Sequence, residues 1–224
     1  MRIFRAAFAA TLSILILSCA PAEQAATPAT VIAPAPASEA PLAPITVSGS
    51  YWIELSPVIV AANSFYPEKL PVGNGGIVNI TSGVADLATN AETQLLRETV
   101  TNPDLRIIMT VTESFYRLVG KRSSGISSLA DLKGKRVMLP RNTSANYYLV
   151  AMLRTVGLTE DDIEIVNLPM AIEGQSGMDQ MSDALLDGRA DVISIWEPES
   201  EDAIKQLGDD AIVIQDRSVY REVF

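Results

Sequence analysis

Between residues 126 and 198 the apolar positions switch repeatedly between the period of a buried strand and that of a helix. The run Ser127-Ser-Leu-Ala-Asp-Leu-Lys-Gly-Lys-Arg-Val-Met-Leu-Pro140 predicts a short helix, a glycine stop and a buried strand. Residues 141–146 form a polar turn rich in capping residues, which opens an amphipathic helix over 147–156 that Gly157 closes. A second strand is predicted over 163–168, a helix over 178–186, and a third strand over 188–196 that runs into Glu197-Pro198. Strands alternating with helices imply a parallel sheet, and open sheets of that kind bind ligands beyond the carboxyl ends of their strands. Thr143, Ser144, Asn146, Trp196 and Glu197 fall at those ends.

The stretch before it follows the same logic more faintly. A strand over 45–49 leads into a loop carrying Ser50, Tyr51 and Trp52, then a helix over about 57–63. The two aromatic residues either line a ligand site or cover a sheet edge. Residues 65–76 are turn-rich, 77–80 predict a strand, 91–100 a helix, and 105–112 a β-rich run continued by 114–119. Phe115 and Tyr116 read as packing residues. After Pro198, an acidic helix over 199–207 stops at Gly208 and a strand follows over 211–214.

Gly83-Val-Ala-Asp86 and Gly188-Arg-Ala-Asp191 share a pattern, each followed by apolar residues and then by a polar mouth. In the first copy that mouth holds Asn90 and Glu92, in the second Trp196 and Glu197. Asp86 and Asp191 are expected to be structural, as caps beside their glycines.

The N-terminus changes the picture of where such a body resides. Arg2 and Arg5 precede an apolar run from Ala6 to Leu17, too short to span a bilayer comfortably, and Ser18-Cys19 follows. Ile16-Leu-Ser-Cys19 resembles the lipobox of bacterial lipoproteins, which implies cleavage before Cys19 and acylation of its thiol; ordinary secretion is the alternative. Residues 20–44 are mostly Ala, Pro, Thr and Ser and predict a disordered tether.

Charge and composition then remove whole classes of function. With 27 acidic and 17 basic residues the chain is a poor partner for nucleic acid. It has no His, and Cys19 is its single cysteine. That removes the usual zinc ligand sets, a Cys/His or Ser/His/Asp nucleophile and any internal disulfide, so no metal, no cofactor and no catalysis are expected.

The run Ile126-Ser-Ser-Leu-Ala-Asp-Leu-Lys-Gly-Lys-Arg-Val137, the Asn142-Thr-Ser144 turn and Ala184-Leu-Leu-Asp-Gly-Arg-Ala-Asp-Val-Ile-Ser-Ile-Trp-Glu-Pro198 together resemble a known family. It is that of the substrate-binding proteins of ABC importers in the nitrate/sulfonate/taurine and thiamine-precursor group, the NMT1/THI5-like and SsuA-like proteins. The resemblance implies an α/β, two-lobed, periplasmic-binding-protein-like (type II) fold, with parallel-rich sheets flanked by helices. It divides the chain into a leader (1–19), a tether (20–44), lobe 1 (45–120), lobe 2 (121–215) and the start of a return crossing (216–224). Residues 113–120 become a hinge candidate. Because such proteins usually continue further, it also implies an incomplete first lobe. The implied partners are a small-molecule ligand, ABC permease and ATPase subunits, and the membrane through a lipid anchor; the implied setting is the periplasmic side of a bacterial envelope, as a monomer. An enzyme on the same fold and a tethered ligand sensor are the alternatives.

For the ligand, residues 143–146 offer backbone donors and the positive end of a helix dipole to an anion such as a sulfonate, or serve as an ordinary cap. Tyr51, Trp52 and Trp196 suit a flat or apolar body. Glu54, Glu92 and Glu197 would repel an anion unless one of them pairs with an amine on the ligand. A zwitterionic aminosulfonate or a protonatable pyrimidine satisfies both halves.

Overall fold

A computed structural model describes residues 43–49, 52, 55–66, 70–169, 171–172, 175–178 and 180–215, all within one compact unit. The smaller of its two main sheets contains β1 (Val47–Gly49), β2 (Val72–Asn74) and β3 (Leu87–Ala88) in the order β2-β1-β3, all parallel. Its connections are the helices α1 (Ser56–Phe65) and α2 (Val78–Thr81), and α3 (Glu92–Glu98) follows β3.

The larger sheet has five strands: β4 (Tyr116–Lys121), β5 (Arg136–Leu139), β6 (Glu164–Asn167), β9 (Val192–Trp196) and β10 (Ala211–Val213), in the order β10-β4-β9-β5-β6. Strands β6, β5 and β9 run parallel, whereas β4 is antiparallel to β9 and β10. Helix α4 (Ser144–Thr155) follows β5, α5 (Gln180–Leu186) precedes β9, and α6 (Glu199–Leu207) follows it. A small antiparallel pair, β7 (Ala171–Ile172) and β8 (Gln175–Ser176), lies between β6 and α5 in the chain. Thus β1-α1-β2-α2-β3-α3 and β5-α4-β6-α5-β9-α6 follow one course.

Strand alternation builds two apolar layers on the larger sheet. Leu118, Val137, Leu139 and Val192 join Tyr148, Leu149, Met152 and Leu153 of α4. Their chain neighbours Val119, Met138 and Ile193 join Met181, Ala184 and Leu185 of α5 and Ala203 of α6. Burial of each large side chain in these layers is worth about 1.5–3 kcal/mol before the entropy of ordering it is subtracted. The core therefore sits around this sheet.

Most elements lie within a few residues of where the sequence places them, and three differ. Residues 77–80 enter α2 instead of a strand. The strand is the preceding Val72–Asn74, and it ends at Gly75 and Gly76, both with φ near +150°. That conformation suits only glycine, and short apolar runs carry no periodicity that separates strand from helix. Residues 105–112 form no strand. Ile107, Ile108 and Met109 are exposed, and among the described residues no strand pairs with them. The hinge candidate 113–120 divides: residues 113–115 are irregular, while 116–120 belong to β4, paired on both sides inside the larger sheet.

Candidate functional site

Both sheets present the carboxyl ends of their parallel strands to a shared mouth. From β1, whose Gly49 leads into the loop before α1, comes Trp52; from the end of β9 comes Trp196. Their rings meet edge to face with centroids 6.0 Å apart. Tyr116 stands opposite Trp196 in the β4–β9 register and meets it edge on at 6.3 Å. Tyr116 in turn stacks on the buried Tyr148 at 5.8 Å, and the Tyr148 hydroxyl donates to Gln215 Oε1 at 3.2 Å. The result is an aromatic wall that starts at the smaller sheet's mouth and ends in the larger sheet's core. Trp52, Trp196 and Tyr116 are half-buried, which leaves ring surface open to a solute.

A polar contact lies one turn before Tyr148 on α4. Thr93 in the first turn of α3 and Ser144 at the first position of α4 have hydroxyl oxygens 2.6 Å apart. Ser144 is buried, and its neighbour Ala145 accepts a hydrogen bond from the buried Ser194 hydroxyl at 2.8 Å. The first-turn N–H groups of a helix have no intrahelical partners, so the α4 end is a donor surface with positive potential. Further along α3, Arg97 donates to the Asn142 carbonyl and to Gln94 Oε1.

The remaining residues singled out by sequence divide between loop support and the mouth. Asn90 Oδ1 accepts the Ile77 N–H at 3.0 Å and pins the turn into α2. Glu92 is exposed at the start of α3. The Thr143 hydroxyl donates to the Pro140 carbonyl at 2.7 Å, and Asn146 donates to Glu160 Oε1 at 2.9 Å while accepting from the Asn142 N–H at 3.2 Å. Glu197 Oε1 lies 3.1 Å from Arg117 Nε, and its Oε2 accepts the Glu201 N–H at 3.1 Å, so this carboxylate seals the start of α6. Ser50, Tyr51, Glu54 and Cys19 lie outside the described residues. The structure thus brings Trp52 and Trp196 into contact and sets Ser144 against Thr93. Tyr116 packs on the core, as the sequence suggests, while also touching Trp196, and Thr93, Arg97 and Arg117 are neighbours that the sequence did not single out. Tyr116 could be placed only by knowing that β4 runs antiparallel to β9. Thr93 was within reach, one residue beyond Glu92.

Electrostatics around the repeated Gly-x-Ala-Asp units are structural. Asp191 is held below the ordinary carboxylate range, first by its hydrogen bonds to the Arg136 side chain and then by the Arg136 N–H, against partial burial. No group of three or more His, Cys, Asp or Glu side chains that could hold a metal ion occurs among the described residues.

Comparison with known proteins agrees with this architecture. The aliphatic sulphonate binding protein SsuA of Escherichia coli superposes with a TM-score of 0.62 at 20% identity, covering 79% of this chain and 57% of that one. The alkanesulfonate-binding protein SsuA of Xanthomonas axonopodis pv. citri, bound to MOPS, gives 0.57 at 19% identity, covering 78% and 61%. Both likenesses show the α/β, two-lobed periplasmic-binding-protein fold. A Haemophilus influenzae protein described as a thiamine biosynthesis protein is 29% identical over 109 residues, 48% of this chain and 32% of that protein. The chain therefore spans less than two thirds of the length of each of these relatives. The family model described as NMT1/THI5 like matches residues 72–214, from β2 through the larger sheet and just past β10. With both repeated units and the whole aromatic wall except Trp52 inside that match, the chain belongs to the NMT1/THI5-like family.

Proposed function

We propose that this protein is the solute-binding component of an ABC importer, which captures a small organic solute between its two sheets and delivers it to a membrane permease with its ATPase. The observation that carries this reading is the meeting of Trp52 and Trp196 from the strand ends of different sheets, 6.0 Å apart, together with the second contact between the two sheets' elements, Thr93–Ser144. Aromatic rings set edge to face at a strand-end mouth, with a helix start nearby, suit a solute with an apolar or heteroaromatic body and one polar head. The sulfonate/taurine-like class fits through the head, and the pyrimidine-like class through the body.

Trp52, Trp196, Thr143 and Ser144 are the residues this reading places nearest the solute, with Ser50, Tyr51, Asn90, Glu92, Asn146 and Glu197 around the rim. Glu197 reaches a ligand amine only by giving up Arg117, which favours an uncharged or anionic head over a cationic one. The division expected between residues 120 and 121 moves to the start of β4, because residues 116–120 pair with β9 and β10 inside the larger sheet; lobe 1 then lies before β4 and lobe 2 runs from β4 to residue 215. The chain is anchored by lipid at Cys19 on the periplasmic side of a bacterial envelope and acts without catalysis, as a monomer.

The test is a thermal-shift screen with taurine, alkanesulfonates, nitrate, aminopyrimidines and small carboxylates, followed by titration of tryptophan emission. A solute at a hundred times its dissociation constant stabilises the fold by about 2.7 kcal/mol. Taurine or an alkanesulfonate, or an aminopyrimidine, is expected to raise the transition and change the emission. A cooperative transition that none of these solutes moves would overturn the reading.

A further inference from the structure

We propose that Thr93 and Arg97 of α3 are positioning residues that form a latch across the cleft and hold the two mouths together before any solute arrives. They stand four positions apart on α3, so they share one face of that helix. Thr93 reaches Ser144 at 2.6 Å, and the Arg97 guanidinium donates to the carbonyl of Asn142. α3 follows β3 of the smaller sheet, and α4 with the turn before it follows β5 of the larger one, so both bonds join an element of one sheet to an element of the other.

The receiving turn is set in place from its own side. The Arg141 N–H donates to Asn167 Oδ1 at 3.0 Å, the Asn142 N–H to Asn146 Oδ1 at 3.2 Å, and the Thr143 hydroxyl to the Pro140 carbonyl at 2.7 Å. Asn142 has φ 62°, and among the described residues it is the one non-glycine in the left-handed region. A residue held there persists only where its surroundings fix it, and such positions gather at clamps and switches. The turn therefore offers Arg97 a carbonyl whose position does not depend on Arg97.

The latch is also reversible. When the mouths part, both hydroxyls and the guanidinium regain water, so no buried group is stranded and the closed form is favoured only moderately. The latch rests on the binding-protein reading only for its effect on a solute: by favouring the closed form it slows release, and its loss raises koff about tenfold.

The two tryptophans of the chain report the latch without any solute, because Trp52 and Trp196 stand on opposite sides of the mouth. In the full chain, Arg97→Ala is expected to shift emission to the red and to increase acrylamide quenching, while Arg97→Lys restores part of the parent signal. In a Cys19→Ser background, Thr93→Cys with Ser144→Cys is expected to oxidise to a disulfide, and faster with Arg97 present than with Arg97→Ala. Locking by that disulfide should return the emission of Arg97→Ala to the parent value. Emission and quenching unchanged by Arg97→Ala, together with equal oxidation rates with and without Arg97, would overturn the latch. A flat solute screen beside a red-shifted Arg97→Ala would instead reject the solute reading and leave the latch standing.

Discussion

Asp191 holds Arg136 through both backbone and side chain: its Oδ2 accepts the Arg136 N–H at 2.9 Å and Nε at 3.1 Å, its Oδ1 accepts Nη2 at 2.8 Å, and its own N–H donates to the Arg136 carbonyl at 2.9 Å. Asp86 makes the same backbone exchange with Thr46, with its Oδ2 accepting the N–H at 2.8 Å and its own N–H donating to the carbonyl at 2.9 Å. The repeated Gly-x-Ala-Asp unit is therefore a strand clasp, tying the approach to β3 or β9 to the approach to β1 or β5. Both aspartates have the structural role the sequence suggests, but each caps a neighbouring strand instead of its own turn.

This clasp predicts unequal costs for two matched substitutions. Asp191→Ala removes a part-buried, charge-assisted set of bonds and strands the Arg136 N–H, for about 2–3 kcal/mol. Asp86→Ala removes one exposed bond, for about 1 kcal/mol. Urea unfolding of both variants measures the difference, and equal losses would show that the Arg136 side chain adds nothing.

Acid sensitivity follows from the same kind of contact. The Asp131 carboxyl is brought down to about 2 by hydrogen bonds from the hydroxyls and N–H groups of Ser127 and Ser128. Asp162, Asp187, Asp191 and Asp210 are lowered as well, chiefly through hydrogen bonds from Thr159, Arg189, Arg136 and Ser123 respectively. A carboxyl with a folded value below its unfolded one binds more protons when unfolded, so its contribution is complete above the unfolded value. It is lost as pH falls through the folded value, for Asp131 from about 4 toward about 2. With no His in the chain, the urea midpoint should stay level between about pH 5.5 and 8 and decline below about pH 4. A step near pH 6.5 would contradict this assignment.

Gly49, at the end of β1, has no room for a methyl group. A Cβ there would sit 2.6 Å from Leu55 Cδ1 and closer still to the Thr89 hydroxyl, so strand ends and the start of α1 would have to part. Gly49→Ala should cost about 1–3 kcal/mol as overpacking. Because the same loop carries Trp52, its tryptophan emission should move as well. A stability loss with unchanged emission would place the adjustment on Thr89 alone.

Legibility in the sequence tracked burial. The larger sheet and its helices were readable because Val137, Met138 and Leu139 form an apolar run between a glycine stop and a polar turn, and α4 repeats apolar positions at helical spacing. Around the smaller sheet the signal failed where tertiary contacts decide. The Ser48 hydroxyl accepts bonds from the Gly76 N–H and from Asn79, which fixes Gly75 and Gly76 as the end of β2 and puts the next residues into α2. Nothing local in residues 77–80 encodes that. Of the site, the strand-end positions were legible from topology alone. Which of those side chains turn to each other, and which are taken up by neighbours as Glu197 is by Arg117, depends on pairings between residues far apart in the chain.

The aromatic wall gives the sharpest test of the cleft, because it joins side chains from different sheets. An edge-to-face pair contributes about 0.5–1.5 kcal/mol beyond the area it buries. A double-mutant cycle with Trp52→Leu and Trp196→Leu should return a coupling energy in that range, since the rings are 6.0 Å apart and both pack against the layer beneath α5 and α6. Tyr116→Leu should couple to Trp196→Leu, which it touches, and much less to Trp52→Leu. Solute affinity should fall in all three single variants, and most in Trp196→Leu, whose ring is the one in contact with both others. A coupling near zero between Trp52 and Trp196 would mean that the two mouths do not meet in solution, and the cleft would then lack the wall on which solute recognition is argued.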